Sequence, residues 1–206
     1  MKNFIFRSLT SLILLPIFIA SIYFAGIFFQ IIIFLIIFIS IYEINKNFKK
    51  NFLYYFLIFL IFLFGYSLFE LRGNNIYSFF NLVWLLLIVM LTDTGGYVFG
   101  NLIGGKKLIA ISPNKTISGF IGSLFVSQFS IIIFLMNDTF VFNIEMFLRQ
   151  LFLSIIAIFG DLFFSYLKRK NSIKDYSNIL PGHGGLLDRI DGMIFVIIIS
   201  NLLNYV

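Results

Sequence analysis

The chain has 206 residues, of which 60% are hydrophobic and 12% charged, and its formal net charge is +6. A soluble domain of this size cannot bury so much apolar surface, so the composition predicts a protein that crosses a membrane several times. There is no cysteine, which excludes disulfides, thiolate metal sites and a cysteine nucleophile. The 30 Phe residues are expected to face lipid rather than to form a binding surface.

Apolar segments predict seven crossings and therefore an all-α, polytopic transmembrane helical bundle. They lie near 8–25, 27–42, 52–69, 78–99, 118–136, 147–167 and 190–206. The first two meet at Gly26 and have a re-entrant pair as an alternative. The N-terminal segment, with Lys2 and Arg7, resembles a signal peptide but lacks a small-x-small cleavage site, so we predict a retained helix. No linker or repeat interrupts the sequence, which predicts one integral-membrane domain over 1–206.

The basic residues are distributed unevenly between the predicted loops. When the loops are assigned alternately to the two sides, thirteen of the fifteen Lys and Arg residues share one side, and only Arg72 and Arg149 fall on the other. Basic residues accumulate on the cytoplasmic side of membrane proteins, so the pattern predicts a cytoplasmic N-terminus. It also puts the polar stretches 92–119 and 161–191 on the cytoplasmic side together. Because topology explains the positive charge, no nucleic-acid partner is expected.

The first polar stretch contains a carboxylate, Asp93, inside an otherwise apolar span and beside Gly95-Gly96, a pair expected to loosen the helix. Further along, Lys115 and Thr116 supply a cation and a hydroxyl group. The residues around Lys115 and Thr116 do not have the G-x-x-x-x-G-K-[ST] spacing of a P-loop. An alternative is that this segment, which begins Ser-Pro and continues Thr-x-Ser, forms only a turn and a helix N-cap.

Small residues follow that segment. Gly119 and Gly122 are of the kind that lets two membrane helices approach closely.

The second polar stretch begins with Asp161, which also lies within an apolar run. On a helix, Asp161, Ser165 and either Lys168 or Arg169 follow along one face. A carboxylate at that depth costs several kcal/mol unless a cation or an ion pair compensates it. The alternative to a functional site is that Asp161 pairs with Lys168 or Arg169 and only fixes helix packing.

Asp188 and Asp191 are three residues apart and share a face at the start of the last predicted helix. Together with Asp161 they place carboxylates on two separate helices, where they could face one pocket. Mg²⁺ prefers one or two carboxylates, completed by waters and phosphate oxygens, so this arrangement predicts a magnesium site.

Between these acids lie a basic cluster and a glycine-rich turn. Lys168-Arg169-Lys170 taken alone is typical of a topogenic anchor. Pro181-Gly-His183-Gly-Gly185 is a rigid turn that can present backbone N–H groups to phosphate oxygens, and it leads into a helix start that also favours an anion. His183 has three interpretations: an acid/base, a phosphate donor or a plain loop residue. The phosphate contact is favoured, and no second His or Cys supports zinc.

The fixed positions of this stretch span 27 residues and form a specific pattern. They are Ser165, Lys168, Arg169, Lys174, Asp175, Pro181, His183, Gly184, Gly185, Asp188, Arg189 and Asp191. This pattern resembles the signature of the CDP-diacylglycerol synthase (phosphatidate cytidylyltransferase) family. The upstream stretch also resembles that family's D-T-G-A-Y and S-P-K-K-T-W-E-G segments. The resemblance covers about 92–192, and the remainder agrees only in being apolar.

The resemblance implies a reaction in which CTP and phosphatidic acid give CDP-diacylglycerol and pyrophosphate. It implies Mg²⁺ held by Asp161 and Asp188, with a monovalent cation such as K⁺ sharing the site. It also implies a lipid bilayer, a homodimer, and a bacterial inner membrane with the site facing the cytoplasm. The catalytic set is then Asp161, Asp188, Lys168 and Arg169. The substrate-binding set is Ser165, Lys174, Asp175, His183, Gly184, Gly185, Arg189, Asp191, Asp93, Lys115 and Thr116.

The chain departs from the family pattern at Asn114, Ile117 and Ser118, where one lysine, the tryptophan and the glutamate are missing. It is also short for the family, which predicts that N-terminal spans are absent. The nearest rival function is another CTP-dependent membrane lipid enzyme, such as a polyprenol or phytol kinase. A transporter would use Asp93 and Asp161 as ion sites, but the lack of repeats and the clustering of polar residues on one side argue against it.

Overall fold

The computed structural model describes residues 2–73, 75–107, 115–136, 143–182 and 184–204, with the side chains at 2–11 and 133–136 left aside. Seven α-helices fill most of these ranges, and a 3₁₀ helix, Gln128–Met136, continues the fifth. They are α1 Lys2–Phe24, α2 Gly26–Asn47, α3 Phe52–Arg72, α4 Ile76–Leu102, α5 Ile117–Ser127, α6 Ile144–Lys170 and α7 Leu187–Leu202. Within the described ranges there is no β-strand, and the predicted all-α class is confirmed.

Each predicted crossing corresponds to a helix, but only four of the described helices, α2, α3, α4 and α6, are long and apolar enough to cross a membrane. Two shorter apolar helices are Leu12–Phe24 in α1 and Ile117–Ile132 in α5 and its 3₁₀ continuation, and α7 has only 16 residues. The count of seven crossings therefore stays a prediction. Many large side chains point outward, including Phe34, Phe38 and Phe52 at 70%, 73% and 87% exposure. This agrees with Phe as a lipid-facing residue.

One end of the bundle is held by Arg72, the last residue of α3. Its buried guanidinium donates to the carbonyl oxygens of Ile22 and Tyr23 at the end of α1, and to that of Asn75 before α4. The last carbonyls of a helix have no partner within that helix, so a cation donor there satisfies them. The break between α1 and α2 falls at Ala25 and Gly26, which both have positive φ angles. This supports the predicted boundary at Gly26.

The opposite end of the bundle brings together the polar loops. The side-chain amide of Asn47, at the end of α2, donates to the carbonyl oxygen of Tyr176, 2.6 Å away in the loop between α6 and α7. A backbone bridge joins Lys107 to Thr116 at the loop between α4 and α5. The first contact places the basic residues at the end of α2 on the same side as those at the end of α6, as the alternation of loops predicts.

Helices α4 and α5 pack through glycines. A Cβ atom on Gly95 would lie 2.6 Å from the carbonyl oxygen of Gly122, and one on Gly119 would lie 2.8 Å from that of Gly96. Only glycine permits such an approach. The close contact predicted for Gly119 and Gly122 is confirmed. The expectation that Gly95-Gly96 loosens the helix is wrong, because α4 runs unbroken to Leu102 and these glycines are its contact surface.

Helices α6 and α7 also approach closely, at the level of the second acidic stretch. A Cβ atom on Gly160 would lie 2.8 Å from the carbonyl oxygen of Asp191. Because Asp161 follows Gly160 directly, this crossing brings the carboxylates of the two helices into the same region of the bundle.

Candidate active site

A cavity of about 250 Å³ opens between α4, α5 and α6. Its polar wall carries side chains from all three helices and from the segment before α5, among them Thr92, Asp93, Lys115, Ser123 and Asp161. The rest of the wall is apolar. The cavity therefore joins charged groups to a surface that suits hydrocarbon, and both upstream and downstream polar stretches contribute to it.

Asp161 is the central carboxylate of the cavity. One of its oxygens forms an ion pair with Lys115, and the other accepts a hydrogen bond of 3.2 Å from the Ser165 hydroxyl. The predicted face shared by Asp161 and Ser165 is thus present on α6. The alternative in which Asp161 pairs with Lys168 or Arg169 is wrong, because its partner comes from a different part of the chain.

Lys168 pairs instead with Asp188 at the start of α7, with Nζ 2.7 Å from Oδ1. The Asp188 side chain is only 4% exposed. Its Oδ2 atom accepts from the backbone N–H groups of Tyr176, at 2.9 Å, and Gly185, at 3.0 Å. Three donors compensate the buried charge, so Asp188 also ties the α6–α7 loop to α7.

The remaining acids complete a negative region. Asp191 is buried, and its carboxylate interacts electrostatically with Asp161, Lys168 and Asp93. The Asp93 carboxylate interacts in the same way with Asp161, Lys115 and Arg189. Because the negative charges of these carboxylates repel one another, the region favours bound cations.

The glycine turn is closed by its own backbone. Leu180 and Gly184 exchange hydrogen bonds of 3.0 and 3.2 Å, and Gly184 has a φ of +88° that suits glycine. The Gly184 N–H therefore donates to Leu180 and the Gly185 N–H to Asp188. Both groups are engaged within the protein, so the role that the structure gives these two glycines is to shape the loop. Their contact with substrate stays a prediction. His183 lies outside the described residues.

Thr116 acts as the N-cap of α5, since its Oγ1 atom accepts from the Gly119 N–H at 3.0 Å. The N-cap part of the alternative interpretation is therefore confirmed for this residue. The preceding Lys115 still reaches Asp161, so the segment combines a structural cap with a charged group at the cavity. Residues 112–114, including the departure at Asn114, lie outside the described residues.

Three predicted residues are exposed and form no ion pair within the described ranges: Arg169, Lys174 and Asp175. Asp175 lies close to Gly184, on the side that also faces Asp188. Arg189 is exposed as well, beside Asp188 on the first turn of α7. Such exposed basic side chains around a buried acidic region leave positive charge accessible to an anionic substrate.

Sequence reasoning missed Glu43, near the end of α2. Its side chain is fully buried and accepts hydrogen bonds from the hydroxyl of Ser177 and from the N–H groups of Leu186 and Leu187. The only signal in the sequence was a carboxylate at the end of an apolar span. Its partners lie more than 130 residues further along the chain, where no local pattern could indicate them.

Tyr176 is a buried aromatic residue of the loop between α6 and α7. It is 1% exposed, and Lys168 Nζ lies 5.6 Å from the centre of its ring. Burial raises the pKa of the Tyr176 hydroxyl, and the carboxylates of Asp188, Asp191 and Glu43 raise it further. The group therefore stays protonated and donates to the Phe164 carbonyl oxygen, 3.3 Å away.

The predicted magnesium ligands have coordination capacity left. Each Asp161 oxygen has one partner, and Asp188 Oδ1 has one partner, whereas a carboxylate oxygen has two lone pairs. No three His, Asp or Glu side chains of the described residues converge on one metal position. Two carboxylates with waters and phosphate oxygens fit Mg²⁺ without a third acid, so the donor set is compatible with the ion.

Fold and site together define an integral membrane protein of helices in which carboxylates and lysines from several helices meet. A sequence model described as the cytidylyltransferase family matches residues 45–206. The chain belongs to the cytidylyltransferase family.

Curated relatives carry a more specific name. Phosphatidate cytidylyltransferase of Staphylococcus haemolyticus is 48% identical over 124 residues, which are 59% of this chain and 48% of the relative. The protein of that name from Staphylococcus aureus is 44% identical over 137 residues, 66% of this chain and 52% of the relative. That from Helicobacter pylori is 42% identical over 115 residues, 55% of this chain and 43% of the relative. The chain spans about half the length of these relatives.

Proposed function

We propose that this protein is a phosphatidate cytidylyltransferase, which makes CDP-diacylglycerol and pyrophosphate from CTP and phosphatidic acid in phospholipid biosynthesis. The observation that carries the proposal is the cavity in which Asp93, Lys115 and Asp161 meet, with the Lys168–Asp188 pair further along α6. The relatives' shared name supports the same reaction. Residues 92–192 would supply the catalytic machinery.

In this reaction an oxygen of the lipid phosphate attacks the α-phosphorus of CTP. A new P–O bond forms as the bond from the α-phosphorus to the bridging oxygen breaks, and pyrophosphate leaves with that electron pair. The attacking phosphate is already ionised at neutral pH, so no general base is needed. The main barrier is repulsion between two anions, which positively charged groups reduce.

The lysines and arginines of the site would reduce this repulsion. Lys115 and Lys168 each form an ion pair with a carboxylate, and their ammonium groups can turn to phosphate oxygens when a cation takes their place. Arg169, Lys174 and Arg189 are exposed, and we assign them to the triphosphate and the lipid phosphate. Asp161 and Asp188 would hold Mg²⁺, which neutralises phosphate charge when bound. The acyl chains would lie against the apolar wall of the cavity.

The reaction is tested with purified protein in detergent, supplied with CTP and phosphatidic acid. We expect CDP-diacylglycerol and pyrophosphate in equal amounts with Mg²⁺, and none after removal of divalent cations with EDTA. Transfer of the γ-phosphate of CTP to a lipid alcohol, with release of CDP, would instead identify a lipid kinase. Activity that persists without any divalent cation would contradict the magnesium assignment. Varying K⁺ in the same assay tests the monovalent cation, and light scattering of the sample tests the homodimer.

We further propose that the protein lies in the bacterial inner membrane with the site facing the cytoplasm. The chain has no cysteine, so single cysteines can report its orientation. Lys49→Cys lies at the end of the bundle that carries the site, and Asn75→Cys at the opposite end; both positions are exposed. In right-side-out inner-membrane vesicles, a membrane-impermeant maleimide should label only Asn75→Cys, and detergent should make both reactive. The reverse pattern in intact vesicles would overturn the orientation.

A further inference from the structure

A buried carboxylate outside the proposed catalytic set holds the start of α7. Glu43 is 0% exposed, and a buried charge costs several kcal/mol unless it is paired or hydrogen-bonded. None of the ion pairs between described residues includes it. Its compensation comes from three hydrogen-bond donors of the loop between α6 and α7 and of α7 itself.

The donors are arranged as a helix cap. Oε1 of Glu43 accepts from the Ser177 hydroxyl at 2.5 Å and from the Leu186 N–H at 2.8 Å, while Oε2 accepts from the Leu187 N–H at 2.8 Å. The first N–H groups of a helix have no partner within the helix and attract negative charge. The residue in the N-cap position of α7 is Leu186, whose side chain cannot accept a hydrogen bond. Glu43 therefore caps α7 from another helix.

The same contact accounts for Gly185. A Cβ atom at this position would lie 2.7 Å from Oε1 of Glu43, so a side chain there would push the carboxylate away. The Gly185 N–H donates to Asp188. Three consecutive N–H groups, at 185, 186 and 187, are thus divided between the carboxylates of Asp188 and Glu43.

We propose that Glu43 is a positioning residue for cytidylyl transfer, which fixes the first turn of α7 so that Asp188 faces Lys168. This inference rests on the proposed function. Glu43 lies before the 45–206 segment that matches the family, and it acts only through the backbone that carries Asp188. Residues that orient metal ligands typically change metal affinity or activity by about 10- to 100-fold when they are replaced.

The main test is Glu43→Gln, which keeps the side chain's size but turns an NH₂ group towards backbone donors. We expect the Mg²⁺ concentration for half-maximal activity to rise by about 10-fold or more. A residue that served stability alone would lower the amount of active protein and leave that concentration unchanged, which would overturn the inference. Glu70→Gln is the matched control, an exposed glutamate in the last turns of α3, and should behave like the wild type.

Gly185→Ala provides a second test that leaves Glu43 in place, and a double-mutant cycle checks the contact between the two residues. Gly185→Ala should impair Mg²⁺-dependent activity in the wild type but add little in a Glu43→Ala background, where the space is vacant. Equal losses in both backgrounds would contradict the contact.

Amide hydrogen exchange separates this inference from the proposed reaction, because it needs no substrate. In Glu43→Gln, we expect the amides of 185–188 to lose about 10-fold or more of their protection, while those in the middle of α3 keep theirs. Unchanged protection at 185–188 would overturn the inference whatever the wild type catalyses. Lost protection in a protein whose wild type is inactive would support the cap and reject the reaction.

Discussion

Asp161→Asn should lower CTP-dependent turnover by about 10³-fold, which corresponds to about 4 kcal/mol of transition-state stabilisation. The substitution preserves the size of the side chain. It also keeps an oxygen that can accept the hydrogen bond of the Ser165 hydroxyl, which is 3.2 Å long in the unsubstituted protein. It removes the negative charge that the cavity offers to a cation between α4, α5 and α6. The measurement is the initial rate of CDP-diacylglycerol formation at saturating Mg²⁺.

A second readout distinguishes loss of the cation from loss of the fold. Mn²⁺ can replace Mg²⁺ as a spectroscopic probe, and its binding to Asp161→Asn, followed by electron paramagnetic resonance, should weaken by about 10-fold or more. Glu145→Gln is the matched control, because Glu145 lies on the same helix, is 65% exposed and pairs with Arg149. It should retain wild-type rates. Near-full turnover by Asp161→Asn would show that the metal assignment is wrong.

The parts of the site that the sequence predicted are those fixed by a single helix. Asp161 and Ser165 are four residues apart, and a helix places such a pair on one face, as the structure confirms. The all-α class could also be predicted from local sequence, because long apolar runs indicate membrane-spanning helices. Short segments such as α5 and α7 were harder, because hydropathy cannot tell a full crossing from a partial one.

The parts that the sequence could not predict depend on how helices cross. The sequence offered Lys168 or Arg169, on the same helix, as an ion-pair partner for Asp161, and it gave Lys115 only as a nearby cation of the other polar stretch. The crossing of α4, α5 and α6 instead gives Asp161 to Lys115 and leaves Lys168 for Asp188. The role of Glu43 depends on hydrogen bonds with residues that lie more than 130 positions further along the chain.

Gly95-Gly96 illustrates the same limit. Within one helix, a glycine pair indicates either a weak point or a contact surface. Only the approach of α5, at which Gly122 faces Gly95, decides between these two interpretations.

Lys168→Met should destabilise the protein, because it leaves the carboxylate of Asp188 buried with two backbone donors and no cation. Removing one partner of a buried ion pair costs about 3–5 kcal/mol, so we expect the apparent melting temperature in detergent to fall by about 10 °C. The 4% exposure of the Asp188 side chain means that water cannot replace the missing partner. Activity should be lost as well.

Lys170→Met provides the control for this experiment, since Lys170 is exposed in the same basic cluster and forms no ion pair among the described residues. If Lys168, Arg169 and Lys170 served only to anchor the helix end, the two substitutions would have equal effects. We expect Lys170→Met to melt within about 1–2 °C of the wild type, as is usual for surface changes. Equal destabilisation by both would contradict the role of the Lys168–Asp188 pair.

The double variant Lys168→Met/Asp188→Asn separates stability from catalysis. The uncharged amide no longer needs a cation, and its oxygen can still accept from the N–H groups of Tyr176 and Gly185, so most of the lost melting temperature should return. Activity should not return, because an amide at 188 cannot supply the charge that the proposed magnesium site requires. Recovery of both would mean that the pair serves the fold alone, and that the carboxylate needed for cytidylyl transfer lies elsewhere in the site.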